Sequence, residues 1–284
     1  MRTRALFAVI ALGVAALPGR GEEPDARQAL ATTQRYLAHW QATLVALVAE
    51  EHYDQETRSL RAPGGVGRSS RDARRRLTAE MLLVRAAADD AWLSFRDVVA
   101  VDGTEVRDRQ RRFEDLFSGP AASILSSANL LAEESARYNL GPFRTINTPT
   151  APLVVLTNPY AASTDWTLDG GRIDGRHTWL LRGTQHKPPF AVNTFGGHTK
   201  PVAGRFWVEP ATGRILQSEL VVRGSSMEAT VLIKYAQVRS IDSWAPVRME
   251  ESFQSGSQIV KGVATYSNHR LFRTSARIVG PPPR

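Results

Sequence analysis

The chain has 284 residues, 42% of them hydrophobic and 23% charged, a formal net charge of +8 and no cysteine. That composition is globular rather than disordered, and it excludes disulfides, a thiol nucleophile and a lipid-modified cysteine. The positive charge is too dilute for a nucleic-acid binder and fits solubility with peripheral contact to an anionic membrane surface.

Arg2 and Arg4 precede an apolar run from Ala5 to Leu17, and Pro18, Gly19, Arg20 and Gly21 follow. A basic start, a short apolar stretch and small residues read as a secretory signal peptide over 1–21, cleaved near Gly21. The run is shorter than the roughly 20 residues a spanning helix needs; an uncleaved anchor is the alternative. Protein found in the periplasm or secreted is the expectation.

From Ala26 to about Leu47, Leu30, Leu37, Trp40, Leu44 and Leu47 recur every three or four positions, the stripe of an amphipathic helix. The stretch from Val45 through Tyr53 to Thr57 reads equally as a first strand. Residues Ala62 to Arg71 form a Gly/Ser loop, and Arg71, Arg74, Arg75 and Arg76 follow as a solvated strand entry or an anionic-lipid contact. Leu77 to Ala87 and Trp92 to Val101 are the next strands, the second closed by Asp102-Gly103. Within it the period of two places Asp97 in one row with Leu93, Phe95, Val99 and Val101. A lone carboxylate there needs a partner, and Arg137 and Arg144 are the expected ones.

Two helices interrupt the strands. Val106, Arg109, Phe113, Leu116 and Phe117 mark the first; Ile124, Ala128, Leu131, Ser135 and Tyr138 mark the second, which opens after Ser118-Gly119-Pro120 and ends at Gly141. Pro142 to Pro159 is punctuated by prolines. From Trp166 onward the chain reads as hairpins. Asp169-Gly170 and Asp174-Gly175 are turn dipeptides, and Pro210-Ala211-Thr212-Gly213 joins two strands. Leu216, Ser218, Leu220 and Val222 share a face, as do Met227, Ala229, Val231, Ile233 and Tyr235, and then Val247, Met249 and Phe253. Such alternation marks an antiparallel sheet with one wet and one buried side. About nine or ten strands are expected. An outer-membrane barrel fits poorly, because its wall has no place for two consecutive amphipathic helices and this chain ends on Gly280 to Arg284, a proline-rich tail.

Catalytic motifs are missing from the sequence: there is no G-x-S-x-G elbow, no S-x-x-K pair, no HExxH and no phosphate loop. His186 and His198 share the polar segment Gly183 to Lys200 without a third ligand nearby. Paired acids at Glu50-Glu51, Asp89-Asp90, Glu133-Glu134 and Glu250-Glu251 point to opposite faces of a strand and read as solvated surface. No cofactor and no metal are expected.

The segments FWVEPATGRILQSELVV (Phe206 to Val222), TVLIKYAQV (Thr230 to Val238), WAPVRMEESF (Trp244 to Phe253) and GVATYSNHRLF (Gly262 to Phe272) resemble the turn-linked strands of the LolA and LppX lipoprotein-carrier fold. They are also similar to secreted bacterial proteins of unknown function. The likeness is one of layout over Gln28 to Phe272, and the long Gly183 to Lys200 insertion and the length of the two helices depart from it. The resemblance implies an α+β fold: a large curved antiparallel sheet, an open half-barrel, with an N-terminal helix and an inserted helical pair covering the concave face. The expected organisation is a single domain over 22–277 and a disordered tail over 278–284. It further implies a non-enzymatic carrier of a hydrophobic, acyl-chain or lipoprotein-like ligand in the cell envelope. The ligand would lie between Phe113, Leu116, Ile124 and Leu131 of the helices and Leu216, Leu220, Val231, Ile233, Met249 and Phe253 of the sheet, entering beside the Gly183 to Lys200 loop, where Lys187 and Lys200 would meet an acidic head group. Two other readings stay open: an envelope protein with a filled core that binds protein partners, and a hydrolase without a known motif.

Overall fold

The computed structural model describes residues 25–44, 46–59, 72–85, 92–107, 109, 111, 132–142, 144–193, 199–224 and 227–271. One helix, α1 (Ala26–Thr43), opens the chain. Asp25 caps it, its carboxylate accepting the Gln28 N–H at 2.7 Å, which satisfies one of the free donors of the first turn. Ala29, Thr33, Leu37 and Trp40 form its buried stripe. No described helix is long and apolar enough to cross a membrane.

Among the described residues thirteen strands follow: β1 (Ala46–Ser59), β2 (Ala73–Arg85), β3 (Trp92–Val101), β4 (Thr104–Glu105), β5 (Thr164–Ile173), β6 (Arg176–Gln185), β7 (Val192–Asn193), β8 (Thr199–Lys200), β9 (Val202–Val208), β10 (Ile215–Arg223), β11 (Met227–Val238), β12 (Ser243–Ser255) and β13 (Gln258–Leu271). Eleven of them make one antiparallel sheet in the order β4-β3-β2-β1-β13-β12-β11-β10-β9-β6-β5, and β7 pairs with β8 alone. The expected α+β layout, a large antiparallel sheet left open and led by a helix, is present. The sheet is two meanders, one from β1 to β4 and one from β5 to β13. They join where β13 pairs with β1.

One face of the sheet is the core. Tyr53, Leu77, Ala264, Met249 and Ile233 lie across neighbouring strands and are fully buried. Against them pack α1 and the 3-10 helix Ala151–Leu156, whose Leu153, Val155 and Leu156 are buried. Helix α1 is pinned in place: the Trp40 indole N–H donates to the Trp244 carbonyl at 2.6 Å, and the Gln34 amide donates to the Leu156 carbonyl at 2.8 Å. Gly213, at φ +74°, sits so close to α1 that a Cβ would meet the Thr32 carbonyl at 2.5 Å. Only glycine serves both demands.

Two local expectations change. Asp174-Gly175 is the β5–β6 turn, but Asp169-Gly170 lies inside β5, paired with Leu180 and Trp179. Gly171 beside it answers a close approach, since a Cβ there would meet Thr178 Oγ1 at 2.8 Å, whereas Gly170 faces open space. The row expected through Asp97 is also broken. A register shift between Thr78 and Ala79 sets Val98 against Ala79 and Val101 against Leu77 on the core face, as a bulge does when it adds one residue. Asp97 faces the other side with Glu80, and its partner is Arg109, Nε to Oδ2 at 2.8 Å, not Arg137 or Arg144. Both acids draw on the same cation, Arg109 also reaching Glu80 at 3.1 Å.

The described residues of the connection from β4 to β5 lie on both sides of the sheet. Arg109 is on the outer face. Ser135, in the helical turn at 132–136, accepts the outward-pointing Arg96 backbone N–H at 2.9 Å, which covers part of an open strand edge. The Tyr138 carbonyl accepts from Arg75 at 2.8 Å. Arg144 and Asn147 then lie buried on the inner face.

Candidate functional site

The inner face is divided in two. Its β9 to β12 part is apolar: Phe206, Leu220, Val231, Ile233, Met249 and Phe253 are all 5% exposed or less. Five of the sheet residues expected to line a ligand space, Leu220, Val231, Ile233, Met249 and Phe253, stand together here in the core. Leu216 does not join them. A register shift between Ile215 and Gln217 puts Ile215 into the core, and Leu216, though buried, lies outside it. Phe113, Leu116, Ile124 and Leu131 lie outside the described residues. Between Tyr36, Leu37, Trp40, Leu153, Ile215 and Tyr235 the remaining space is about 10 Å³, room for one water at most by the usual probe measure.

The β1, β3, β12 and β13 part carries a buried polar cluster. On β1 the core face reads Ala49, Glu51, Tyr53, Gln55 and Thr57, because residues two apart share a side. Glu51 takes two bonds from Arg96, Nε to Oε2 at 2.5 Å and Nη2 to Oε1 at 2.9 Å, with both side chains closed to solvent. Arg144 forms the second pair, donating from Nε to Glu251 Oε2 at 3.1 Å and from Nη2 to Glu251 Oε1. Tyr53 links the two. Its hydroxyl donates to Glu251 and accepts the Asn147 amide at 3.1 Å, and the Arg96 guanidinium lies 4.7 Å over its ring. Arg96 also bonds the Asn147 carbonyl at 2.9 Å.

Protonation follows from this packing. Burial lowers the pKa of both arginines, but Glu51 and Glu251 more than offset it and hold each above its ordinary value. Burial, reinforced by the Glu251 charge, raises the Tyr53 phenol, and burial with the Glu51 charge raises Tyr266. The two guanidiniums thus stay charged and the two phenols neutral. Gly262 gives it room: it pairs with Gln55 on one side and Glu251 on the other, and a Cβ would meet Tyr53 Cε2 at 2.6 Å and Glu251 Oε1 at 2.7 Å.

None of this cluster was expected to be a site. Glu50-Glu51 and Glu250-Glu251 read as solvated acids because neighbours on a strand face opposite ways. That rule holds, and it sends one acid of each pair inward: Glu51 is 0% and Glu251 6% exposed. The available signal was Glu251 standing between Met249 and Phe253 on the apolar side of β12.

Other expected features are peripheral. His186 and Lys187 are exposed, with His186 3.6 Å from Asp165; His198 lies outside the described residues. Arg74 and Arg76 lie on the outer face and Arg75 turns inward. A groove of about 790 Å³ on the outer side is lined by Arg74, Arg76, Lys261, Asp54, Glu56 and Asp102 among others; Asp54 neutralises Arg76 at 2.8 Å. Among the described residues no group of three His, Asp or Glu could hold a metal ion.

No family model matches the chain, and no curated protein does. Among solved structures it is similar to a domain described as an outer membrane lipoprotein-sorting protein from Vibrio parahaemolyticus, with 12% identity and a TM-score of 0.46 over 89% of this chain and 95% of that one. A DUF1329 family protein from Desulfovibrio piger matches with 12% identity and a TM-score of 0.43, over 90% of this chain and 95% of the other. The likeness of layout expected from the hairpin segments is found.

Proposed function

We propose that the chain is a non-enzymatic protein of the cell envelope that binds a hydrophobic, acyl-chain ligand on the inner face of its sheet. The Arg2 to Gly21 leader pattern supports export. The observation that carries the reading is the division of the inner face. A largely apolar field on β9 to β12, interrupted by Ser218 and its bond to the Tyr235 hydroxyl, runs directly into a polar cluster, with Val231 paired to Glu251 and Phe253 5.9 Å from the Arg144 guanidinium. That is the complement of an amphiphile, tail on one side and polar group on the other.

The cover suits such a role. Over the polar part it is an irregular segment, 139–150, held through Arg144 and Asn147. Releasing that segment together with the Ala151–Leu156 turn that follows it uncovers part of the apolar field, whose rewetting costs about 25 cal/mol per Å² unless a ligand takes the place of the cover. On the outer face, Arg74 and Lys261 supply the charge for contact with an anionic membrane surface.

One observation favours a second reading. The packing of α1 and Ala151–Leu156 leaves only about 10 Å³ beside Ile215 and Tyr235, as a filled core would, with function then residing in protein partners. Native mass spectrometry of protein recovered from its own envelope, followed by lipid extraction, separates the two. Co-purifying acyl chains in stoichiometric amount are expected; apo protein together with no saturable binding of an added acyl probe contradicts the carrier reading.

A further inference from the structure

The polar cluster has a chemical bias that the apolar field does not. Every acceptor named in it is used. Glu51 receives Arg96 on both oxygens, Glu251 receives Arg144 and Tyr53, and the Asn147 carbonyl receives Arg96. The Gln55 amide oxygen takes the Leu140 N–H at 3.0 Å and Arg144 Nη2 at 3.0 Å, which fixes that amide so that its nitrogen points away from both donors. Two donors are left over. Arg96 Nη1 and Gln55 Nε2 are closed to solvent and have no hydrogen-bond partner among the described residues, on residues that are 1% and 3% exposed. Buried donors of this kind are rare and call for an acceptor.

Charge decides which acceptor. Two guanidiniums face two carboxylates, each pair closed on itself, and burial keeps Tyr53 and Tyr266 neutral. A further anion would be the one uncompensated charge in a place shut off from water. An uncharged carbonyl oxygen supplies the missing acceptor and disturbs no pair. A hydroxyl can accept too, but it brings a donor to a site whose acceptors are already taken.

We propose that Arg96 and Gln55 form a subsite for an uncharged carbonyl, the ester or amide linkage of an acyl chain, and that the subsite discriminates against the free fatty acid. The inference rests on the acyl-binding reading above and names the ligand class for it. Placement agrees. Gln55, Gly262, Glu251 and Val231 lie in one cross-strand row, so a carbonyl held at Gln55 has the apolar field of β11 roughly 14 Å away, three interstrand spacings.

The experiment compares three ligands of one chain length, methyl decanoate, decanamide and decanoate, by displacement of a fluorescent acyl probe from the mature protein at about pH 8, where the decanoate carboxyl, like an ordinary side-chain carboxylate, is ionised. The ester and the amide are expected to bind at least about tenfold more tightly than decanoate, the size of one lost charged hydrogen bond. Gln55→Met keeps length and removes the amide, and Gln55→Glu keeps the acceptors and removes the donor; each is expected to shrink the preference severalfold while decanoate affinity does not fall in Gln55→Met. The affinity order in the unaltered chain decides the matter even where a variant fails to fold. Decanoate binding as tightly as the ester overturns the carbonyl subsite and leaves acyl binding standing. Displacement by none of the three overturns both.

Discussion

Replacing Glu51 by Gln tests whether the cluster is as closed as its geometry says. The change keeps shape and removes one charge, so the Arg96 guanidinium, 1% exposed, loses its carboxylate partner. Breaking a buried pair from one side costs about 3–5 kcal/mol, because the remaining charge has neither water nor a counter-ion. With a urea m-value of about 2–3 kcal/mol/M, the midpoint falls by roughly 1–2 M at unchanged slope. Tryptophan fluorescence in a urea titration of the mature protein measures it. Two controls sharpen the reading. Asp54→Asn, at the outer-face pair with Arg76 where the side chains are 63% and 69% exposed, should cost no more than about 1 kcal/mol. The double change Glu51→Leu with Arg96→Met should recover most of the loss, since apolar side chains of similar size often replace a buried pair without penalty. A loss below about 1 kcal/mol for Glu51→Gln refutes the reasoning.

Asp97→Asn should cost about 1–3 kcal/mol through the bond to Arg109, and an unmoved denaturation midpoint argues against that pairing. Gly262→Ala should cost about 1–3 kcal/mol by overpacking, since the new methyl falls 2.6 Å from Tyr53 Cε2; wild-type melting behaviour would contradict the cluster's position. Alkali should unfold the chain early. Burial, opposed by the Arg214 charge, lifts the Tyr36 phenol from 10.0 to about 12, and Tyr53, Tyr235 and Tyr266 are raised too. The folded state then keeps protons that the unfolded chain releases, so this stabilisation is whole below about pH 10 and fades towards about pH 12. A denaturant midpoint that stays flat across that window contradicts the burial of these phenols.

The sheet was legible because alternation survives wherever one side is dry. Met227 to Gln237 could be read with little error, and the turns at Asp102-Gly103, Asp174-Gly175 and Gly213 announced themselves through residues that tolerate positive φ. Where a strand carries a bulge, the same alternation misleads. It assigned Val101 to the row of Asp97 and Leu216 to the core, because one extra residue reverses every face beyond it. The polar cluster was hidden for a different reason. A buried Glu looks like a surface Glu until its partner is known, and Arg96 and Arg144 lie 45 and 107 residues from the acids they neutralise. Spacing along the chain carries no trace of pairs that form between strands that are not neighbours, as Arg96 of β3 with Glu51 of β1, or between a connection and a strand, as Arg144 with Glu251.

A photoreactive acyl-chain probe, crosslinked to the mature protein and mapped by peptide mass spectrometry, addresses the central claim most directly. Adducts on β11 and β12, at Val231, Ile233, Met249 or Phe253, and competed away by unlabelled acyl ester, are the expected result. Labelling confined to outer-face positions such as Arg74 or Lys261, or labelling that no competitor reduces, would contradict a ligand seated on the inner face.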